Sequence, residues 1–123
     1  SDDGRSTLGT GLSAARQMLA GAANSGVAAY FAGGEWSLVA TVDKFAFSDD
    51  SRSTLGTGLS AARGQLAGAA HSGTAAYFGG GYESAAVTTV DKFAFSDDSR
   101  STLGTGLSAA TYLLAAAANS GTL

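Results

Sequence analysis

The chain has 123 residues, with ten acidic against seven basic side chains and a formal net charge of −3. This balance lacks the basic surface that nucleic acids and anionic membranes attract, and no stretch approaches the ~18 apolar residues of a membrane span. Cysteine is absent and His71 is the single histidine, which excludes disulfides, thiolate metal sites and cysteine nucleophiles. We expect no nucleic-acid partner, no membrane, no metal and no other cofactor.

Internal repetition defines the organisation of the sequence. Residues 1–34 and 48–81 differ at only six of 34 positions, and the same string begins again at Ser96. We therefore divide one repeat domain, residues 1–123, into repeats 1–47 and 48–95 and a partial repeat 96–123. The repeats differ in length by one residue within a short segment after the double glycine, which indicates a surface loop there.

The first element, residues 12–24, is ambiguous. Its alanines favour a helix that Ser13 could cap, although Gly21 inside a helix would cost about 1 kcal/mol relative to alanine. Alternatively, residues 19–23 form a strand that turns at Asn24 to Gly26 and pairs with the next apolar segment. Propensity alone does not decide, but the spacing between this turn and the double glycine favours the strand.

Two clearer strands follow in each repeat. Residues 27–32 are apolar on both faces and end at a double glycine, which is typical of a buried strand. Residues 39–47 form the next strand, in which Asp43 and Phe45 share one face and Lys44 lies on the other. The Ser-Asp-Asp-Ser that follows predicts a turn, because Asp and Ser side chains bond nearby main-chain N–H groups. We expect the aromatic residues, including Phe47, to form the core.

The order of these features resembles a kelch repeat. An arginine precedes an inner strand, a turn leads to an aromatic strand closed by a double glycine, and a variable loop precedes two further strands. In the second copy these features are Arg63, the strand 66–70, Tyr77 with Gly79 and Gly80, the strand 90–95 and the outer strand 100–105. The resemblance covers the whole chain, and the period is close to the ~50 residues of kelch repeats. The usual tryptophan near the outer strand is absent, and Thr111 replaces the arginine in the third copy.

The kelch resemblance implies an all-β fold of four-stranded antiparallel blades from a β-propeller, about two and a half of them in this chain. Propellers use roughly four to eight blades, so one chain would not close a ring. Open blade edges would offer unpaired N–H and C=O groups to a partner. Self-association is therefore expected, either into a ring or into a continuous stack.

Several recurring polar residues suit structural roles better than chemical ones. The Leu-Gly-Thr-Gly-Leu-Ser-Ala string has the letters of a dinucleotide fingerprint but lacks its context and distal acid. Asp49 and Asp50 lack the further ligands of a Ca²⁺ loop and suit a solvated turn. We expect Asp43 and Lys44 to form surface or inter-blade pairs, and Arg16 to tie neighbouring blades together.

The variable loop carries the candidate binding residues. Glu35 and Trp36 in the first copy, and Tyr82 and Glu83 in the second, place an aromatic residue beside an acid. An aromatic residue on a loop suits a carbohydrate or protein contact. No Ser-His-Asp grouping or other catalytic set recurs in the chain.

These observations predict a non-enzymatic kelch-like protein that acts as a structural or interaction module, alone through self-association or within a longer chain. One alternative is a fibre or particle-appendage subunit whose open blade edges polymerise. Another is a fragment of a propeller enzyme or lectin with its site elsewhere. The lack of cysteine and the many Ser and Thr residues favour an extracellular or particle-surface location.

Overall fold

The described part of the chain is all-β, as predicted. The computed structural model describes residues 4–112. Its strands are β1 (Ala20–Asn24), β2 (Ala28–Ala32), β3 (Val42–Ala46), β4 (Arg52–Thr54), β5 (Ala67–His71), β6 (Ala75–Gly79), β7 (Val90–Ala94) and β8 (Arg100–Thr102). Residues 4–112 contain no helix, and hence none that is long and apolar enough to cross a membrane.

The strands form two four-stranded antiparallel sheets, each in chain order. The first sheet is β1-β2-β3-β4 and the second is β5-β6-β7-β8. Their registers are the same, since Tyr30 lies opposite Lys44 in the first sheet and Tyr77 lies opposite Lys92 in the second. The sheets pack against each other through β1 and β5, and the described residues do not form a closed ring.

The ambiguous segment forms a strand rather than a helix. β1 pairs along its whole length with β2, and the Val27 N–H donates to the Asn24 carbonyl oxygen at 2.9 Å in the predicted turn. Gly26 closes this turn with a φ of 75°, in the left-handed region that glycine adopts at little cost. Ser13, the candidate helix cap, instead binds Asp43 through its N–H and its hydroxyl group. The corresponding segment of the third copy lies outside the described residues.

β3 and β8 are two or more residues shorter than predicted. β3 begins at Val42, since the carbonyl oxygens of Val39 and Ala40 accept the N–H groups of Arg63 and Leu59. The outer strand β8 ends at Thr102, although the Leu103 N–H still donates to the Val90 carbonyl oxygen at 3.0 Å. We call residues 8–16, 55–63 and 103–111 the crossover segments, because the second of them connects the two sheets.

Each sheet has two different faces, since side chains alternate along a strand. The tyrosine face carries Tyr30 and Lys44 in the first sheet, and the phenylalanine face carries Phe31, Asp43 and Phe45. Equivalent residues define the tyrosine and phenylalanine faces of the second sheet.

The core lies between the tyrosine face of the first sheet and the phenylalanine face of the second. Its buried members are Ala20, Ala28, Tyr30, Ala32, Val42, Leu59, Leu66, Ala76, Phe78 and Phe93. The inner strands approach closely because they carry glycine and alanine: a Cβ atom at Gly68 would lie 2.6 Å from the carbonyl oxygen of Gly21. Small residues therefore set the distance between the sheets.

Candidate functional site

A buried arginine anchors the start of each sheet. The Arg63 guanidinium donates from Nε to the Gly80 carbonyl oxygen at 2.7 Å and from Nη2 to the Phe78 carbonyl oxygen at 3.0 Å. Its Nη1 atom lies 3.0 Å from the Asp91 carboxylate, and both side chains are fully buried. These charge-assisted bonds hold the end of β6 to β7. The predicted role as a tie between neighbouring units was wrong for the side chain, because all three acceptors belong to the second sheet.

Arg16 makes the same three bonds in the first sheet. Its acceptors are the carbonyl oxygens of Gly33 and Phe31 and the carboxylate of Asp43. The side chain of Arg16 is 3% exposed and that of Asp43 is fully buried. The predicted surface position of Asp43 was therefore wrong: a carboxylate reaches the interior here because the arginine and its other donors replace water.

The buried carboxylates are saturated with donors. Asp91 accepts the Ser60 N–H and hydroxyl groups at 2.9 Å and the Thr102 hydroxyl group at 2.7 Å. Burial by itself would raise the pKa of Asp91, but the bonds from Thr102 and Ser60 and the charge of Arg63 outweigh it, so this pKa lies below its ordinary value. The donors all belong to the chain itself. The Arg63–Asp91 pair thus stabilises the fold and offers no acid or base to a substrate.

A second polar cluster joins the two sheets. Asp98, in the turn after β7, accepts the Tyr30 hydroxyl group at 2.7 Å and the Lys44 ammonium group at 2.8 Å. Phe95 stacks on the Tyr30 ring with centroids 5.3 Å apart. Burial and the adjacent Asp98 carboxylate raise the pKa of the Tyr30 phenol. Lys44 thus pairs between neighbouring units, as predicted, and its partner lies in the turn between β7 and β8 of the second sheet.

The residue types of this cluster recur on the two outer faces of the molecule, with Phe47 and Asp50 on one and Tyr77 and Lys92 on the other. Neither outer face has a partner sheet among the described residues. On the first sheet, Phe47 is 46% exposed rather than buried in the core as predicted. Asp50 lies nearby and lines a mainly apolar groove of about 680 Å³ on the phenylalanine face. On the opposite side of the molecule, the Lys92 ammonium group lies 5.7 Å from the centre of the Tyr77 ring. The groove is lined by Thr7, Leu8, Thr10, Gly11, Leu12, Leu19, Ala20, Gly21, Ala29, Phe31, Phe45, Phe47 and Asp50.

The predicted binding residues of the first variable loop differ in exposure. Glu35 is half-buried: its main chain pairs with that of Gln17 at 2.8 Å in both directions, and its carboxylate accepts Gln65 Nε2 at 2.7 Å. Trp36 is 86% exposed. Glu35 therefore helps to join the two repeats, whereas Trp36 is free to contact a partner.

The second loop places its aromatic residue beside another one. Tyr82 is 38% exposed, and its ring packs edge to face against Tyr112 with centroids 5.6 Å apart. The Glu83 N–H donates to the Ala85 carbonyl oxygen within the loop. Within residues 4–112, no hydrogen bond or ring contact joins Trp36 to Tyr82. Glu35 and Tyr82 nevertheless lie on either side of Gly64, whose main chain pairs with that of Tyr82 and where a Cβ atom would lie 3.1 Å from Glu35 Cγ.

The sheet-joining role of Asp98, the second acid of its Ser-Asp-Asp-Ser turn, was not predicted from the sequence. Asp98 has a φ of 60° and Asp50 a φ of 57°, a left-handed conformation that directs both residues alike. In contrast, Asp97 accepts the Ser99 N–H within its own turn. The doubled acid was visible in the sequence, but adjacent acids look alike until the backbone conformation separates them.

The described residues contain no group of three or more side chains suited to hold a metal ion. No protein-family model matches the sequence, and a search of curated proteins found no match.

Proposed function

We propose that this protein is a non-enzymatic structural or interaction module whose sheets are kelch-like propeller blades, and that it acts by self-association or within a longer chain. The observation that carries the proposal is the open phenylalanine face of the first sheet. The centre of the equivalent face of the second sheet, with Phe78 and Phe93, is fully buried against the first sheet. The phenylalanine face thus has the residues of a buried contact in both sheets, but a sheet covers it only in the second. We therefore interpret the open face of the first sheet as an interface.

The exposures of equivalent residues support this proposal. Phe78 is fully buried between the sheets, whereas its equivalent Phe31 is half-buried. Phe47 is 46% exposed, whereas its equivalent Phe95 is half-buried, and Phe45 and its equivalent Phe93 are both buried. Contiguous apolar surface around a groove marks interaction sites on soluble proteins. The arginine and aspartate networks, in contrast, are closed by the chain's own groups and leave no chemistry for a substrate.

The local geometry also supports the assignment of the sheets as kelch-like blades. Each sheet is four-stranded and antiparallel, with three strands from one repeat and the outer strand from the start of the next, and the double glycine lies at the end of the second strand. A Cβ atom at Gly33 would lie 2.5 Å from the Arg63 carbonyl oxygen, so glycine is required where successive repeats meet. The arginine before the inner strand β5, Arg63, binds the end of β6 and Asp91 of β7. These are the positions on which the resemblance rests.

The native mass in solution tests the proposal. We would measure it by light scattering behind a sizing column over a wide range of protein concentration. A discrete oligomer would support copies that complete one another's ring. A monomer of 12.0 kDa at every concentration would contradict self-association.

A second candidate function is that of a fibre or particle-appendage subunit. It is favoured by the difference between the two outer faces, because one presents tyrosine and lysine and the other presents phenylalanine and aspartate. Contacts between unlike faces are heterologous, and they generate open filaments when the rotation between copies does not close a ring. Filaments in electron micrographs of concentrated protein would support this candidate, whereas closed particles of uniform size would exclude it.

A further inference from the structure

We propose that the tyrosine face of one copy, with Tyr77 and Lys92, docks on the groove of a second copy, with Phe47 and Asp50. The docked contact would reproduce between chains the contact that joins the two sheets within one chain. This inference rests on the proposed self-association and names the surfaces that perform it.

The contact within the chain is the template for the contact between chains. In the template, Asp98 accepts Tyr30 Oη and Lys44 Nζ, and Phe95 stacks on Tyr30. The repeat places the same residue types at the same positions of the outer faces, so the matching pairs are Asp50 for Asp98, Phe47 for Phe95, Tyr77 for Tyr30 and Lys92 for Lys44. Both halves of the contact are therefore present in one chain, on opposite sides.

The outer residues have the charges and free groups that such docking needs. Among the described residues, the Asp50 carboxylate, the Tyr77 hydroxyl group and the Lys92 ammonium group have no hydrogen-bond partner, whereas their three counterparts bind one another. In the docked pair, the Lys92 ammonium group of one copy would lie beside the Asp50 carboxylate of the other, which is exposed in the free chain. Charge-assisted hydrogen bonds of this kind are about twice as strong as neutral ones.

The apolar surfaces are complementary as well. Within the chain, Tyr30 and its neighbours on the first sheet pack against Phe78 and Phe93 of the second sheet. The groove beside Phe31 and Phe45 is the equivalent space on the first sheet. The docking face supplies Tyr77, which is half-buried in the free chain, between Ala75, which is fully buried, and Gly79. We expect the Tyr77 ring to stack on Phe47 as Tyr30 stacks on Phe95.

One crossover segment must move for the copies to meet. The N–H groups of Leu103, Leu107 and Thr111 donate to carbonyl oxygens beside the second sheet, so the docking copy already fills the crossover position there. Residues 8–15 of the receiving copy have the same sequence as residues 103–110. Within the described part of the chain, the N–H groups of Leu8 and Leu12 have no main-chain acceptor. Thr111 of the docking copy and Arg16 of the receiving copy hold equivalent positions as well. We therefore expect residues 8–12 of the receiving copy to yield to residues 103–107 of the docking copy, and Thr111 to yield to Arg16, which stays bonded to Asp43.

The test compares two variants of the full chain with a matched control. Asp50→Asn removes the acceptor charge and keeps a residue type that tolerates a positive φ. Lys92→Glu places a negative charge opposite Asp50. The control is Asp49→Asn, because the Asp49 carboxylate binds the Ser51 N–H in its own turn and does not face the groove.

We expect each variant to weaken association by about tenfold or more in light scattering, as the loss of a charged hydrogen-bond partner does. The control should associate like the unmodified chain. Mixing the two variants should restore one strong contact, from the Lys92 face of Asp50→Asn to the Asp50 groove of Lys92→Glu. The mixture should therefore form a pair of copies that cannot grow further.

The outcomes separate this inference from the proposed function. If the unmodified chain stays monomeric at every concentration, self-association itself is wrong. If the unmodified chain associates and both variants associate equally well, self-association stands and the proposed surfaces are wrong. Thermal unfolding of the dilute variants checks their folding, since neither substituted side chain has a hydrogen-bond partner in the described part of the free chain.

Discussion

The two sheets have nearly the same sequence but bury it differently. Phe78 of the second sheet is fully buried, whereas its counterpart Phe31 in the first sheet is half-buried. Asp98 holds Tyr30 and Lys44 across the sheets, whereas its counterpart Asp50 is exposed. The difference comes from position alone: the first sheet covers the phenylalanine face of the second, and no described residue covers that of the first in the same way. A repeat therefore specifies a surface, and its neighbour decides whether the surface becomes core.

The arginine anchors give the largest expected contrast. We expect Arg63→Ala to lower the free energy of unfolding by about 3–5 kcal/mol, because it leaves Asp91 buried without its charge partner. Arg16→Ala should cost less, since Asp43 lies on the open face, where water can reach it after the change. Urea unfolding of both variants measures the difference. Equal losses in the free energy of unfolding would show that coverage by the neighbouring sheet does not affect the stability of the arginine–aspartate pair.

The phenylalanine pair tests the core directly. Phe78→Ala should lower the free energy of unfolding by up to about 4 kcal/mol, because the side chain is fully buried and its removal leaves a cavity. Phe31→Ala should cost less than half as much, since water already reaches part of its ring. Thermal unfolding of dilute protein is the measurement. A Phe31→Ala variant as unstable as Phe78→Ala would mean that the open face is covered in solution even in dilute protein.

The glycines of the inner strands test the close approach of the sheets. Gly68→Ala would bring a Cβ atom within 2.6 Å of the Gly21 carbonyl oxygen, so we expect a loss of about 1–3 kcal/mol from overpacking. Gly21→Ala should be neutral or slightly stabilising, because its Cβ atom would meet the Phe31 ring at 3.5 Å and the Tyr30 carbonyl oxygen at 3.7 Å, both ordinary contact distances. Differential scanning calorimetry would separate the two variants. A destabilised Gly21→Ala variant would contradict the open position of this strand.

The smallest expected contrast is at the turn acids. Asp98→Asn should lower the free energy of unfolding by about 1 kcal/mol, because the ion pair with Lys44 is partly exposed and the neutral amide still accepts a hydrogen bond. Asp50→Asn should leave the stability of dilute protein unchanged. Chemical unfolding at low protein concentration compares the two. A stability loss at Asp50 in monomeric protein would mean that this residue has a partner within its own chain.

Much of the fold could be predicted from the sequence because it depends on local patterns. The alternation around Asp43 and the turn at Gly26 are properties of a few adjacent residues, and the repeat confirmed each of them a second time. The strand at residues 20–24 was harder to predict, since its alanines favour a helix by propensity and only Gly21 counts against one. It became a strand because pairing with β2 and packing against β5 outweigh an intrinsic preference of a few tenths of a kcal/mol per residue.

The candidate site was less predictable. Trp36 was expected on a loop surface and is highly exposed there. The burial of Asp43 and the exposure of Phe47 could not be inferred, because each depends on donors or surfaces supplied by distant segments. The sheet-joining role of Asp98 depends on a left-handed backbone conformation at one of two adjacent acids.

The sequence by itself determined the repeat, the all-β class, the hairpin turns and the two different faces of each sheet, because these follow from spacing and alternation along the chain. Only the tertiary structure decided which of the faces is buried, which acid joins the sheets and where an apolar groove stays open. The physical reason is that burial and charge pairing are relations between surfaces. Nearly identical repeats carry the same surfaces, and only their neighbours make one of them a core and the other a site for contact.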